Sequence, residues 1–133
     1  KRNNKFINDS KATSFDATKH ALKANKNIFW IVGGIPKKND KISIQKLKHN
    51  INEAFIIGKN INHFKKNFKG VIRYTISKSL KQAVKDIFKK LELNKDNTIL
   101  LSPASASFDQ FNNFEDRGRI FKKYVNIYAK KYF

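Results

Sequence analysis

The sequence predicts an α/β domain with helices layered on a mainly parallel sheet, and three observations lead there. Strand-like apolar runs alternate with helical apolar spacing along the whole chain, one run (Ile28-Phe29-Trp30-Ile31-Val32) is apolar at every position, and polar loops follow the strand candidates. Alternation of this kind implies helix-connected parallel strands with right-handed crossovers. A continuous apolar run suits a strand covered on both faces. The chain has 133 residues and is 40% hydrophobic, the size of one domain with one sizeable core.

Lys5-Phe6-Ile7 is the first strand candidate, ended by Asn8-Asp9-Ser10. A helix is expected from Phe15 to Lys23, with Phe15, Thr18, Ala21 and Leu22 on one face and Ser14 as its cap. Ile28 to Val32 is the second strand, stopped by Gly33-Gly34, and a loop around Pro36 to Asp40 leads to an expected helix from Ile42 to Asn50. Ala54 to Gly58 reads as a strand, Ile61 to Phe68 as a helix and Val71 to Tyr74 as a strand. Ser79-Leu80-Lys81-Gln82 opens the next helix with a capping-box pattern. Its Leu80, Val84, Ile87, Phe88 and Leu91 form the apolar side, while Lys81, Lys85 and Lys89 make a solvated face. Thr98 to Leu101 is the last strand, and a helix from Phe114 to Tyr132 buries Phe121, Tyr124, Val125 and Tyr128.

Composition narrows the functional classes. Cysteine is absent, which excludes disulfides and thiolate metal sites, and His20, His49 and His63 have no second ligand at helical spacing, so no metal site is expected. No apolar run approaches the roughly 20 residues of a membrane helix, and no secretory leader is visible. A cytoplasmic, monomeric protein is expected. Methionine is absent too, so residue 1 is read as lying inside a longer or processed chain. The net charge of +19 would favour nucleic acid as a partner. Lysine, however, far outnumbers arginine, which occurs only as Arg2, Arg73, Arg117 and Arg119, and asparagine, isoleucine and phenylalanine are abundant. A lysine excess spread over the whole chain fits A/T-rich codon usage better than a base-reading surface, where bidentate arginine is preferred.

In parallel sheets ligands bind beyond the carboxyl ends of the strands. Three polar loops belong there: Asn8 to Thr13, Gly33 to Asp40, and Ser102 to Asp109. The first sets a carboxylate, an ammonium and hydroxyls before a helix start, where N–H groups favour anions. Neither G-x-x-x-x-G-K-[ST] nor G-x-G-x-x-G is present, so no loop is a complete nucleotide motif.

Asn8-Asp9-Ser10-Lys11-Ala12-Thr13, then Gly33-Gly34-x-x-Lys37, then Leu100-Leu101-Ser102-Pro103-Ala104-Ser105-Ala106-Ser107-Phe108-Asp109-Gln110-Phe111 with Phe114-Glu115-Asp116-Arg117-Gly118 span nearly the whole chain. Together they resemble the C-terminal domain of the D-glutamate-adding Mur ligases. The resemblance implies a Rossmann-like three-layer domain, residues 1–133, that presents an amino acid to two preceding domains: an N-terminal one holding a UDP-sugar and a central one holding ATP and Mg2+. It also implies amide-bond formation, in which D-glutamate attacks an acyl phosphate of UDP-N-acetylmuramoyl-L-alanine. This domain alone is then inactive and carries no catalytic residue of its own.

By position, the resemblance implies that Lys37 pairs with the side-chain carboxylate of D-glutamate, with Thr13 as a hydroxyl donor beside it. Ser107, Phe108 and Phe114 would receive the α-carboxylate end, partly through backbone groups. Asp9 would contact the ATP ribose, and Lys11 would meet phosphate or glutamate charge. Asp109, Glu115 and Arg117 are expected to brace the last loop. Pro36, Lys38 and Asn39 depart from the family pattern around Lys37, and Ser105 stands where cysteine is usual, a small-for-small exchange with little expected consequence. Two other readings remain open: a basic nucleic-acid-binding module, and a related ligase adding another residue or glutamyl tails to folate.

Overall fold

Successive side chains of a strand point to opposite faces, and in β2 (Ile28–Gly33) both faces are covered. Ile28, Trp30 and Val32 pack with α1 (Phe15–Ala24) and α2 (Ile61–Phe68) through Phe15, Leu22, Phe64 and Phe68. Phe29 and Ile31 face α3 (Leu80–Lys90) and α4 (Phe114–Tyr132), where Val84, Ile87, Phe88, Phe121 and Tyr128 close a second core. The molecule is therefore three layers deep. The computed structural model describes residues 3–91, 95–107 and 110–132.

Among the described residues the sheet has five strands, β1 (Asn4–Asn8), β2, β3 (Ile51–Ile57), β4 (Tyr74–Lys78) and β5 (Asn97–Leu101). They lie in the order β1-β5-β2-β3-β4, and every pair is parallel. β5 is thus inserted between β1 and β2. The chain leaving β1 goes to the α1 face and the chain leaving β5 goes to the opposite, α4 face. Their loops part over the carboxyl ends of the strands, the topological switch point at which open α/β sheets bind ligands.

Caps match the sequence signals. Ser14 Oγ accepts from Ala17 N–H and Ser79 Oγ from Gln82 N–H. The reciprocal half of the capping box does not form, because the Gln82 amide donates to Asp86 and Ser79 N–H donates to the Ser77 carbonyl. α4 spans the expected residues, with Asn113 Oδ1 accepting from Asp116 N–H at its start.

Two expected elements are corrected. Ile42 to Asn50 is not an α-helix: residues 41–45 alternate exposed and buried, with Ile42 and Ile44 turned into the α1 and α2 core, and only Lys48–Asn50 coil, as one 3-10 turn. β3 accordingly begins at Ile51, three residues earlier than expected. The strand expected at Val71 to Tyr74 starts where that reading ends and runs from Tyr74 to Lys78. Val71 and Ile72 instead finish α2, both N–H groups donating to the Phe68 carbonyl after the positive-φ turn at Gly70.

At the amino end of the sheet, the side chains form a line across all five strands. Arg73 donates to Asn52 Oδ1 (3.1 Å), Asn52 to Asn27 Oδ1 (2.9 Å), Asn27 to Asn97 Oδ1 (3.0 Å) and Asn97 to Asn4 Oδ1 (2.8 Å). Each amide donates to the next, so the bonds polarise one another. Four of the sixteen asparagines that composition alone assigns to codon usage have a definite place here.

Candidate functional site

The carboxyl ends of β1, β5 and β2 lie side by side, and their loops are bonded to one another. Asp9 N–H donates to the Leu101 carbonyl (2.7 Å), and the Ser102 hydroxyl donates to Asp9 Oδ2 (2.6 Å). The Ser102 carbonyl accepts from the buried Trp30 indole (2.7 Å). Gly33 N–H donates to the Pro103 carbonyl, and Ile35 and Ala106 exchange both backbone bonds (2.9 and 2.8 Å). Loops far apart in sequence therefore form one platform.

Gly33 and Gly34 allow this approach. A Cβ on Gly34 would lie 2.4 Å from the Ala106 carbonyl oxygen, and one on Gly33 would lie 2.1 Å from that of Ile57. Both have φ near +130°, outside the range of ordinary side-chain-bearing residues. Asn60, ahead of α2, donates to the Gly34 carbonyl and supports the same turn.

The residues expected from sequence are brought together to different degrees. Lys37 is exposed, two positions beyond the Ile35 bridge, and Ser107 is buried, one position beyond Ala106, so their backbones run in neighbouring loops. Thr13 is half-buried, and the chain just after it is tied to the Lys37 loop: Phe15 N–H donates to Asp40 Oδ2 (3.0 Å), and Asp40 N–H donates to the Lys37 carbonyl. Asp9 keeps one carboxylate oxygen free of hydrogen bonds among the described residues. Lys11 and Phe114 line a pocket of about 190 Å³ with Asn8, Ser10, Glu115 and Gly118. Phe114 is 40% exposed, so its ring is not core, and its backbone carbonyl accepts from the Ser10 hydroxyl. Phe108 and Asp109 lie outside the described residues.

The bracing expected of Arg117 is present, whereas the partners of Asp40 and Asn60 escape sequence reading, because an Asp or Asn in a loop does not reveal which distant backbone group it meets. Ser105 also departs from expectation. It is fully buried, and its hydroxyl has no hydrogen-bond partner among the described residues. An unpaired buried hydroxyl costs about 1–3 kcal/mol, so Ser105→Ala should raise the unfolding midpoint in urea. An unchanged or lower midpoint would show that the hydroxyl is satisfied.

His63 on α2 has a buried Nε2 without a hydrogen-bond partner among the described residues. Burial holds its pKa below 6.5; Lys66 lowers it further, and Asp40 opposes by a smaller amount. The unfolded chain therefore takes up this proton at a higher pH than the folded one. The stabilising difference is complete above pH 6.5 and is lost as pH falls from 6.5 toward the folded value. The urea midpoint should fall between pH 7.5 and 5.5, and the fall should be smaller in His63→Leu; equal falls in both proteins would remove His63 from the account.

Among the described residues no three His, Asp or Glu side chains gather to hold a metal ion, and no helix is long and apolar enough to cross a membrane.

No protein-family model matches the chain. Curated proteins do. A relative from Fusobacterium nucleatum is 42% identical over 127 residues, covering 91% of this chain and 29% of the relative. One from Nitrobacter hamburgensis is 42% identical over 127 residues (94% and 27%), and one from Rhodospirillum rubrum 38% over 123 residues (91% and 26%). All three are named UDP-N-acetylmuramoylalanine–D-glutamate ligase. The chain spans less than a third of the length of these relatives. None of these names favours the nucleic-acid reading or the folate one. Identity at this level over nine-tenths of the chain, on a parallel sheet whose three polar loops converge, makes the chain similar along most of its own length to a stretch of about a quarter of these D-glutamate-adding ligases.

Proposed function

We propose that this chain, residues 1–133, is the C-terminal, amino-acid-presenting domain of an ATP-dependent ligase that joins D-glutamate to UDP-N-acetylmuramoyl-L-alanine in peptidoglycan synthesis. The observation that carries the reading is a set of uncommitted polar groups at the switch-point edge. The side chains of Lys11, Thr13, Lys37 and Ser107 make no hydrogen bond or ion pair among the described residues, although other residues of the same loops, Asp9, Phe15, Ile35, Asp40 and Ala106, are tied by bonds between the loops. Groups held ready in this way suit a substrate with two carboxylates. Lys37 and Thr13 would take the side-chain carboxylate, and Ser107, with Phe108 and Phe114, the α-carboxylate end. A dianion held at both ends has its amine fixed in direction, and that orientation is this domain's contribution to amide formation.

The free oxygen of Asp9 suits a ribose hydroxyl, and Lys11, beside the start of α4, suits a phosphate. In this reading the central domain of the full-length protein holds Mg2+ and most of the ATP, and the N-terminal domain holds the UDP-sugar. The domain alone then turns over no ATP. Cytoplasmic location and a monomeric state belong to the same proposal.

The test is amide formation by the full-length protein with UDP-N-acetylmuramoyl-L-alanine, ATP and a panel of amino acids. D-glutamate should be preferred over L-glutamate, D-aspartate and L-lysine. Preference for another amino acid, or for a folate acceptor, would overturn the proposal.

A further inference from the structure

Arg117 is 1% exposed, and a guanidinium can be buried at acceptable cost only if its donors are met. All three of its nitrogens donate. Nε donates to Ser10 Oγ (2.9 Å), one terminal nitrogen to the Ser105 carbonyl (2.9 Å) and the other to the Ser10 carbonyl (2.6 Å). Ser10, itself buried, donates its hydroxyl to the Phe114 carbonyl (2.6 Å) and its backbone N–H to Asn8 Oδ1 (3.2 Å). Gly118 lets α4 close on this cluster, since a Cβ there would lie 2.7 Å from the Asn8 amide.

These contacts join two places with different tasks. Ser10 stands between Asp9 and Lys11, the residues proposed for the nucleotide. Ser105 lies two residues before Ser107, and Phe114 three before Arg117, on the side proposed for the amino acid. We infer that Arg117 and Ser10 are positioning residues that hold the nucleotide side and the amino-acid side of the site in fixed relation, so that disturbing either residue weakens use of both ligands together. The inference rests on the ligase reading above. It adds that one buried hydrogen-bond cluster sets two substrate affinities through the neighbouring residues that it holds in place.

The experiment uses the full-length protein and measures KM separately for D-glutamate, ATP and UDP-N-acetylmuramoyl-L-alanine, together with the melting temperature. Ser10→Ala is the main variant, because it removes the shared hydroxyl with little change of volume; Arg117→Lys removes the fork. A misplacement of about 1 Å can cost on the order of 100-fold, and KM for D-glutamate and for ATP should each rise by about 10-fold or more in Ser10→Ala. KM for the UDP-sugar should stay near wild type. Ser10→Thr, which restores a hydroxyl, should recover part of the loss. Should Arg117→Lys fail to fold, Ser10→Ala decides. Wild-type KM values for D-glutamate and ATP in folded Ser10→Ala would overturn the inference. A parallel rise in all three KM values, or a change in one ligand only, would overturn it equally. If the wild-type protein shows no D-glutamate-dependent turnover, it is the ligase reading that falls, and that result is separate from any effect of the variants.

Discussion

Gly33→Ala is expected to cost roughly 2–6 kcal/mol of folding stability. The backbone strain of a side-chain-bearing residue at φ +132° costs roughly 1–3 kcal/mol. The new Cβ, 2.1 Å from the Ile57 carbonyl oxygen and 2.9 Å from its backbone N and C, forces apart two central strands, and overpacking adds roughly 1–3 kcal/mol more. Neither clash involves the end of a flexible side chain, so nothing nearby can yield cheaply. Urea unfolding of the two proteins measures the difference directly. A midpoint like that of wild type would mean that β2 and β3 separate more easily than their register implies. The same change should also disturb the site, since Gly33 N–H is bonded to the Pro103 carbonyl at the start of the third loop.

Lys37→Ala is expected to do the reverse, leaving stability unchanged and weakening the proposed use of D-glutamate. Its ammonium is exposed and bonded to no described residue, so truncation should leave the melting temperature close to that of wild type. A charge-assisted bond to a carboxylate contributes about 1.5–3 kcal/mol, so KM for D-glutamate in the full-length protein should rise by roughly 10–100-fold. KM for ATP should not move, which separates Lys37 from the shared cluster at Arg117. Lys37→Arg should recover part of the loss, because charge is kept while geometry changes. An unaltered KM for D-glutamate in Lys37→Ala would take this lysine out of the site.

The layer architecture was legible because β2 is apolar at every position and the helices carry one apolar face each, and those patterns have few other solutions. α4 was legible to its ends for the same reason: Phe121, Val125 and Tyr128 keep helical spacing over a long segment, and Glu115 and Asp116 suit its first turn. The segment after Asp40 was misread because Ile42, Ile44 and Leu47 satisfy a loose helical spacing. The alternation of Lys41, Ile42, Ser43, Ile44 and Gln45 is the better signal, as period two belongs to an extended chain. Val71 and Ile72 were misread because β-branched residues also serve to seal a helix end against a core. At the site, sequence and resemblance supplied the residue types but not the bonds between loops. Asp40 to Phe15, Asn60 to Gly34 and Arg117 to Ser10 link positions 25, 26 and 107 residues apart, and no local pattern encodes such pairs.

The line of amides at the amino end of the sheet has a consequence for observation in solution. Each of Asn52, Asn27 and Asn97 donates a side-chain N–H to a residue on or just before the adjoining strand. Such protons exchange with solvent chiefly when the two strands part. Their NH2 resonances therefore serve as a row of built-in reporters, one for each of three strand pairs, at the end of the sheet opposite the three polar loops. Reading them in order across the sheet would reveal which pair opens first when the domain begins to unfold.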